Sequence, residues 1–119
     1  MSEAKPISGT PGIASELTAF QQNILTILAE EARYGLAIKR ELEEYYGSEV
    51  NHGRLYPNLD DLVEMGLVEK SELDKRTNQY ALTDDGEAVL LSQFRWEFSK
   101  FVVDDDRAGA IEDLVAELQ

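Results

Sequence analysis

The 119-residue sequence predicts a mainly helical fold, α+β in class, with one small β-hairpin between its third and fourth helices. Three observations predict it. Apolar residues recur at three- and four-residue steps through residues 17–65. The pattern then changes to two short strand-like runs across residues 67–83. From Thr83 the helical spacing returns and holds to the end of the chain. With 43% hydrophobic residues and no internal repeat, the chain suits one domain with one core.

The opening MSEAKPISGTPG is rich in Ser, Gly and Pro, so residues 1–15 are expected to form a flexible leader. It lacks the apolar stretch of a secretory signal. In the first helix, Leu17, Phe20, Ile24, Ile27 and Leu28 make one stripe. Thr18 and Gln21 have capping-box spacing at its start, and its end falls near Glu31. The second helix runs from Gly35 to a stop at Gly47. Ile38, Leu42 and Tyr45 are expected to face inward, with Lys39, Arg40, Glu43 and Glu44 in water.

The third helix lies within residues 51–65, with Leu55, Leu59 and Leu62 as its stripe and Gly66 as its stop. Pro57 conflicts with it, because proline removes one helical hydrogen bond and crowds the carbonyl of Gly53. Asn51 is a good N-cap and the stripe begins before Pro57, so a helix that starts at Asn51 and bends is expected. The runs LVEKSEL and NQYALT then flank a charged tip, DKRT, as a β-hairpin. Thr83 caps the fourth helix, and Asp84 and Asp85 suit its positive end. That helix is apolar on more than one face: Leu90, Phe94 and Phe101 on one, Leu91, Phe98 and Val102 on another, with Val89 and Trp96 outside both. The last segment sets Ile111, Leu114, Val115 and Leu118 in a stripe on a helix too short to hold alone in water. It must dock on its own chain or on a partner.

The composition excludes several functions. With no Cys there is no disulfide framework, thiolate zinc site or thiol redox sensor, so a redox response would be indirect or run through Met, Tyr or Trp. One His cannot build a His-rich metal site. No apolar run approaches the ~18 residues of a membrane span, and a cytoplasmic location without membrane contact is expected. No nucleophile–base set or phosphate-cradling glycine loop suggests an enzyme. No organic cofactor or small-molecule ligand is implied.

The net charge is −13, from 24 acidic and 11 basic residues. Seven of those 11 basic residues lie in residues 33–80, whereas residues 81–119 alone carry −7. The acids sit within well-patterned segments, which disfavours a disordered tail. An ordinary acidic protein would fit. The five lysines fit better a protein of a very salty cytoplasm, whose surface carboxylates hold hydrated K+ or Na+.

Three helices, a hairpin and a long helix, in that order, describe a winged helix-turn-helix, here with added N- and C-terminal dimerisation helices. Residues 16–82 would be the DNA-binding domain and residues 83–119 the dimerisation helices. The third helix would enter the major groove and the hairpin tip would meet the backbone or minor groove. The chain resembles the PadR-like transcriptional regulators from about Ile24 to Leu90. The resemblance is carried by YG at Tyr34–Gly35, GRLYPNLDDLVEMGLV from Gly53 to Val68, and YALTDDG from Tyr80 to Gly86. The acidic composition looks like that of haloarchaeal members. The resemblance implies a homodimer on pseudo-palindromic promoter DNA, with the fourth and later helices at the dimer interface. The short C-terminal segment departs from larger members, so a separate effector-binding domain is not expected.

On this reading Asn51, His52, Gly53, Arg54, Tyr56 and Asn58 of the third helix meet double-stranded DNA, with Lys75, Arg76, Thr77 and Asn78 at the wing. Each has a plainer alternative. Arg54 and Asn58 could form a solvated face, Asn51 could be only a cap, and Tyr56 could be a half-buried ring. His52 and the wing cations could simply be solvated. Arg54 can read guanine, Asn58 adenine, and hydroxyls and amides can hold phosphate. The expected dimer interface is Leu17 and Phe20 with Leu90, Leu91, Phe94, Trp96, Phe98 and Phe101, closed by Ile111, Leu114, Val115 and Leu118. An aromatic ligand pocket at Trp96 is the less favoured alternative. The rival to DNA binding is a winged-helix module that binds another protein, since this fold does not set function.

Overall fold

The computed structural model describes residues 11–74 and 76–119, so Lys75 and residues 1–10 of the expected leader lie outside the described residues. The elements run α1 (Pro11–Glu16), α2 (Ala19–Glu30), β1 (Arg33–Tyr34), α3 (Gly35–Tyr46) and α4 (His52–Glu64). They continue with β2 (Val68–Glu72), β3 (Asn78–Leu82), α5 (Asp84–Phe101) and α6 (Asp105–Glu117).

Local chemistry sets most of these boundaries. At α2 both halves of the capping box form: the Gln21 N–H donates to Thr18 Oγ1, and the Thr18 N–H donates to Gln21 Oε1, each at 3.1 Å. Gly47 ends α3 with φ 72°. Asn51 caps α4, its Oδ1 accepting the Arg54 N–H at 2.9 Å, and the helix continues through Pro57. Gly66, at φ 80°, closes α4 in a left-handed turn. Its N–H donates to Val63 O and the Leu67 N–H to Leu62 O, each at 3.0 Å, which supplies partners for the last carbonyls. Thr83 caps α5 and Asp104 caps α6.

The sheet is antiparallel in the order β1-β3-β2. The hairpin pairs Lys70 with Tyr80 and Glu72 with Asn78. β1 adds a third strand by pairing Arg33 with Tyr80 and Tyr34 with Gln79. Two residues cannot show a period, so this strand left no pattern in the sequence.

The core joins Ile24 and Leu25 of α2, Ile38 and Leu42 of α3, and Leu55, Leu59 and Leu62 of α4. All seven have 0% exposure. Each such side chain contributes about 1.5–3 kcal/mol by leaving water. Leu67, Val68, Tyr80, Val89 and Leu90 close the core from the sheet and α5.

Several expectations are corrected here. The expected leader is helical at Pro11–Glu16, and Ala14 is buried. Proline suits a first helical turn because its missing N–H would be unpaired there anyway. Tyr45 does not face inward but is 72% exposed. Lys39 and Glu43 do not simply face water: they pair at 2.8 Å, and Glu43 also accepts the Val50 N–H. These bonds, the Lys39 one foremost, hold the Glu43 carboxyl below its ordinary pKa.

Leu17, Phe20 and Leu90 are not available to a dimer interface, because all three are buried in the chain's own core. The apolar stripe of α2 is spent on α3, α4 and α5. Helix α5 is not covered all round either. Ala88, Val89 and Leu90 are buried, whereas Leu91, Trp96, Phe98 and Phe101 are exposed. Among the described residues, none of α6 is buried.

Candidate nucleic-acid interface

Helix α4 and the β2–β3 hairpin flank a groove of about 460 Å³. Tyr34, Gly35 and Leu36 line it from the start of α3, Tyr56 from α4, and Leu73, Asp74, Arg76, Thr77 and Asn78 from the hairpin, with Tyr80 below. Burial, helped by Asp60 and Tyr56, raises the Tyr80 phenol above its usual pKa of 10.0, so the floor stays neutral. Tyr34 and Leu36, both 47% exposed, were missed as site residues. The YG pair was the available signal, but only the β1–β3 pairing brings it beside the wing.

On α4, Asn51, His52, Gly53 and Arg54 form an exposed first turn. The Asn51 cap takes the Arg54 N–H, and the positive end of the helix dipole here favours an anion. The Asn51 side-chain oxygen is used as the cap, so the plain reading of that atom holds. The His52 ring stacks on Tyr56 with centroids 5.6 Å apart and planes 5° apart. Tyr56 is half-buried against Gly35: a Cβ at Gly35 would lie 2.6 Å from the Tyr56 hydroxyl oxygen. Helix α3 therefore needs glycine here to seat the tyrosine.

Arg54 is exposed but not loose. Its guanidinium carbon sits 3.9 Å from the centroid of the Phe20 ring, in a cation–π contact that leaves its N–H edges available. Asn58 is half-buried. Its Nδ2 donates to the Arg54 carbonyl at 2.8 Å, and its Oδ1 accepts from Gln21 Nε2 at 3.0 Å. It is thus not a simple solvated residue.

At the wing, Asp74 organises the turn by accepting the Arg76 N–H at 2.9 Å. That bond, with further ones from Thr77, holds its carboxyl below the ordinary 3.8. Arg76 is exposed, and Thr77 and Asn78 are half-buried beside it. Lys39 and Arg40 lie on α3, where the Glu43 pairing draws Lys39 away from any phosphate. No group of three or more His, Cys, Asp or Glu comes together to hold a metal ion among the described residues. No helix among them is long and apolar enough to cross a membrane.

A capped helix with an exposed polar first turn, set across a groove from an arginine-bearing wing, defines a winged helix-turn-helix protein. The chain belongs to the PadR-like family of transcriptional regulators, whose model matches residues 24–92. It is similar to RosR of Halobacterium salinarum, in crystals grown from NaBr. Identity is 70%, the match covers 87% of this chain and 94% of that one, and the TM-score is 0.85. The hsRosR-S1 complex matches at the same identity and TM-score, over 93% of that chain. A PadR family regulator of Clostridium difficile shares the fold at 23% identity, over 70% of this chain and 92% of that one, with a TM-score of 0.60. No curated protein matches. The family is one of transcriptional regulators and not of enzymes.

Proposed function

We propose that the chain is a cytoplasmic transcriptional regulator of a halophilic archaeon, binding pseudo-palindromic promoter DNA as a homodimer. The observation that carries the DNA reading is the pairing of an exposed, N-capped first turn of α4 that bears Arg54 with an exposed wing that bears Arg76, Tyr56 of α4 and Arg76 lining one groove, in a chain of net charge −13. The first turn of α4 enters the major groove, with Arg54 and Asn58 toward base edges and Asn51, His52, Gly53 and Tyr56 toward phosphate. Lys75, Arg76, Thr77 and Asn78 follow the neighbouring backbone.

The test is selection of duplexes from a random library at molar KCl. It should yield an inverted repeat with half-site centres ~34–36 Å apart. Arg54→Ala should weaken binding by ~1–3 kcal/mol and relax the preference at one base position. Arg76→Ala should weaken binding to all sequences evenly. An unsymmetric site, or binding indifferent to Arg54, would sink the assignment. Binding to a protein partner with no duplex selected would favour the rival module.

The dimer rests on the exposed apolar surface of the C-terminal arm. Leu91, Phe94, Trp96, Phe98 and Phe101 on α5, and Leu114, Val115 and Leu118 on α6, are each at least 38% exposed. Phe94 and Phe98 stack at 6.2 Å along one side of α5. Exposed large apolar side chains grouped in this way on two successive helices mark an interaction surface. Ile111 completes the α6 stripe, and a second copy would cover both helices. Sedimentation of the intact chain at micromolar concentration in molar KCl should give a dimer. Deleting residues 107–119 should give a monomer or insoluble material. A monomeric intact chain would overturn the dimer, and a stable truncated dimer would show that α6 is dispensable.

A further inference from the structure

We infer that Gln21, on α2 and outside the DNA-facing surface, is a positioning residue for base reading: it sets which way round the Asn58 amide faces. This rests on the DNA-binding reading above. Gln21 is 7% exposed and is buried among the core residues of α2. Its amide is the middle of a hydrogen-bonded chain. The Thr18 N–H donates to Gln21 Oε1 at 3.1 Å. Gln21 Nε2 donates to Asn58 Oδ1 at 3.0 Å. Asn58 Nδ2 donates to the Arg54 carbonyl at 2.8 Å.

Both ends of this chain are backbone groups, whose polarity is invariant. A backbone N–H can only donate and a carbonyl can only accept. Turning the Asn58 amide over would set its nitrogen against Gln21 Nε2 and its oxygen against the Arg54 carbonyl. Turning both amides would repair their mutual contact but leave the Thr18 N–H facing a nitrogen. Only one arrangement satisfies every group, and burial makes the alternatives unfavourable.

An amide has two donor and two acceptor positions. The chain uses one of each on Asn58. One N–H and one oxygen lone pair remain, in a set order. Adenine recognition needs such an order, with oxygen toward N6 and nitrogen toward N7. A freely turning asparagine could present either sense. Asn58 presents one, because Gln21 holds it. The adjacent residue on α2, Phe20, carries the Arg54 guanidinium, so α2 supports both outward side chains of the recognition helix.

The experiment uses the intact chain, the duplex it most enriches from a random library, and a scrambled version of that duplex. Asn58→Ala and Gln21→Leu should each weaken binding to the selected duplex roughly tenfold and leave the scrambled duplex unaffected. Both should relax preference at the same base position. The double variant should bind no worse than Asn58→Ala alone. In Gln21→Glu the cap on Thr18 survives, since glutamate serves in a capping box. Its carboxylate has no donor for Asn58, so selectivity should be lost where it is ionised and return as it is protonated between about pH 9 and pH 5. That pH profile decides the matter if the leucine variant does not fold. Losses that multiply in the double variant, equal losses on both duplexes, unchanged base preference in Gln21→Leu, or no effect of Asn58→Ala would each overturn the inference. A wild-type chain that enriches no duplex would instead overturn the DNA-binding reading, and this inference with it.

Discussion

Between moderate and molar KCl, the affinity of the chain for its selected duplex is expected to fall little, or to rise. A DNA-binding protein ordinarily loses affinity with salt, because each neutralised phosphate releases condensed counterions, with a slope of about −0.9 per phosphate. At 1 M salt the Debye length is ~3 Å, so long-range attraction is largely gone. This chain is poorly equipped to displace counterions. Lys39 is paired with Glu43, Arg33 lies among Glu30, Glu31 and Glu41, and Lys70 sits 4.0 Å from Asp60. Glu49, Asp60 and Asp61 are exposed near the proposed DNA face and would repel phosphate. We propose that hydrated K+ or Na+ ions bridge these carboxylates to phosphate and are taken up on binding. Asp74 is a weaker candidate, because its carboxylate is occupied by the wing turn. Replacing Glu49, Asp60 and Asp61 by amides should restore the usual negative slope. The measurement is log K against log [KCl] by anisotropy. A steep negative slope in the unaltered chain, typical of six or more phosphate contacts, would sink the idea.

Gly86→Ala is expected to lower the unfolding free energy by about 3 kcal/mol, at the upper end of the usual range for overpacking. Gly86 lies in the first turn of α5, where the helix crosses the start of β2. A Cβ built there would stand 2.3 Å from the Leu67 carbonyl oxygen, 2.6 Å from Leu82 Cδ1 and 3.2 Å from the Leu67 carbonyl carbon. The Leu67 oxygen cannot move freely, because it accepts the Thr83 N–H at 3.2 Å. The added methyl must therefore push α5 away from the sheet, and Val89 and Leu90 out of the core with it. Gly109, on α6, is the control: a Cβ there meets nothing within 4 Å, so Gly109→Ala should be neutral or stabilising by up to about 1 kcal/mol. Urea unfolding at one fixed protein concentration reads both. A loss below about 1 kcal/mol at Gly86 would show that the helix can shift freely.

The glycine closing YALTDDG was legible as a motif residue, but its reason was not, because the Leu67 carbonyl that excludes a side chain lies 19 positions earlier. The same division runs through the candidate site. Arg54 and Asn58 were readable as sharing one face of α4, away from Leu55 and Leu62, from their four-residue spacing. Their perches on Phe20 and Gln21 were not, since the Gln21–Asn58 hydrogen bond spans 37 positions. Capping boxes, asparagine caps and left-handed glycines act within five residues, so Thr18, Asn51, Gly47 and Gly66 could be assigned from neighbours in the chain.

By itself, then, the sequence determined the helical stripes, the caps, the hairpin and their order, and hence which helix and which turn form the polar face of a winged helix-turn-helix. Those features depend on periodicity and on contacts between near neighbours. The tertiary structure alone decided what each stripe packs against. It placed Leu17, Phe20 and Leu90 inside the chain rather than between two copies, seated Pro11–Glu16 as a helix, and added β1 to the sheet beside Tyr80. The physical reason is that burial of apolar surface is non-directional. A stripe records that a face must leave water, and only the folded chain says which surface receives it.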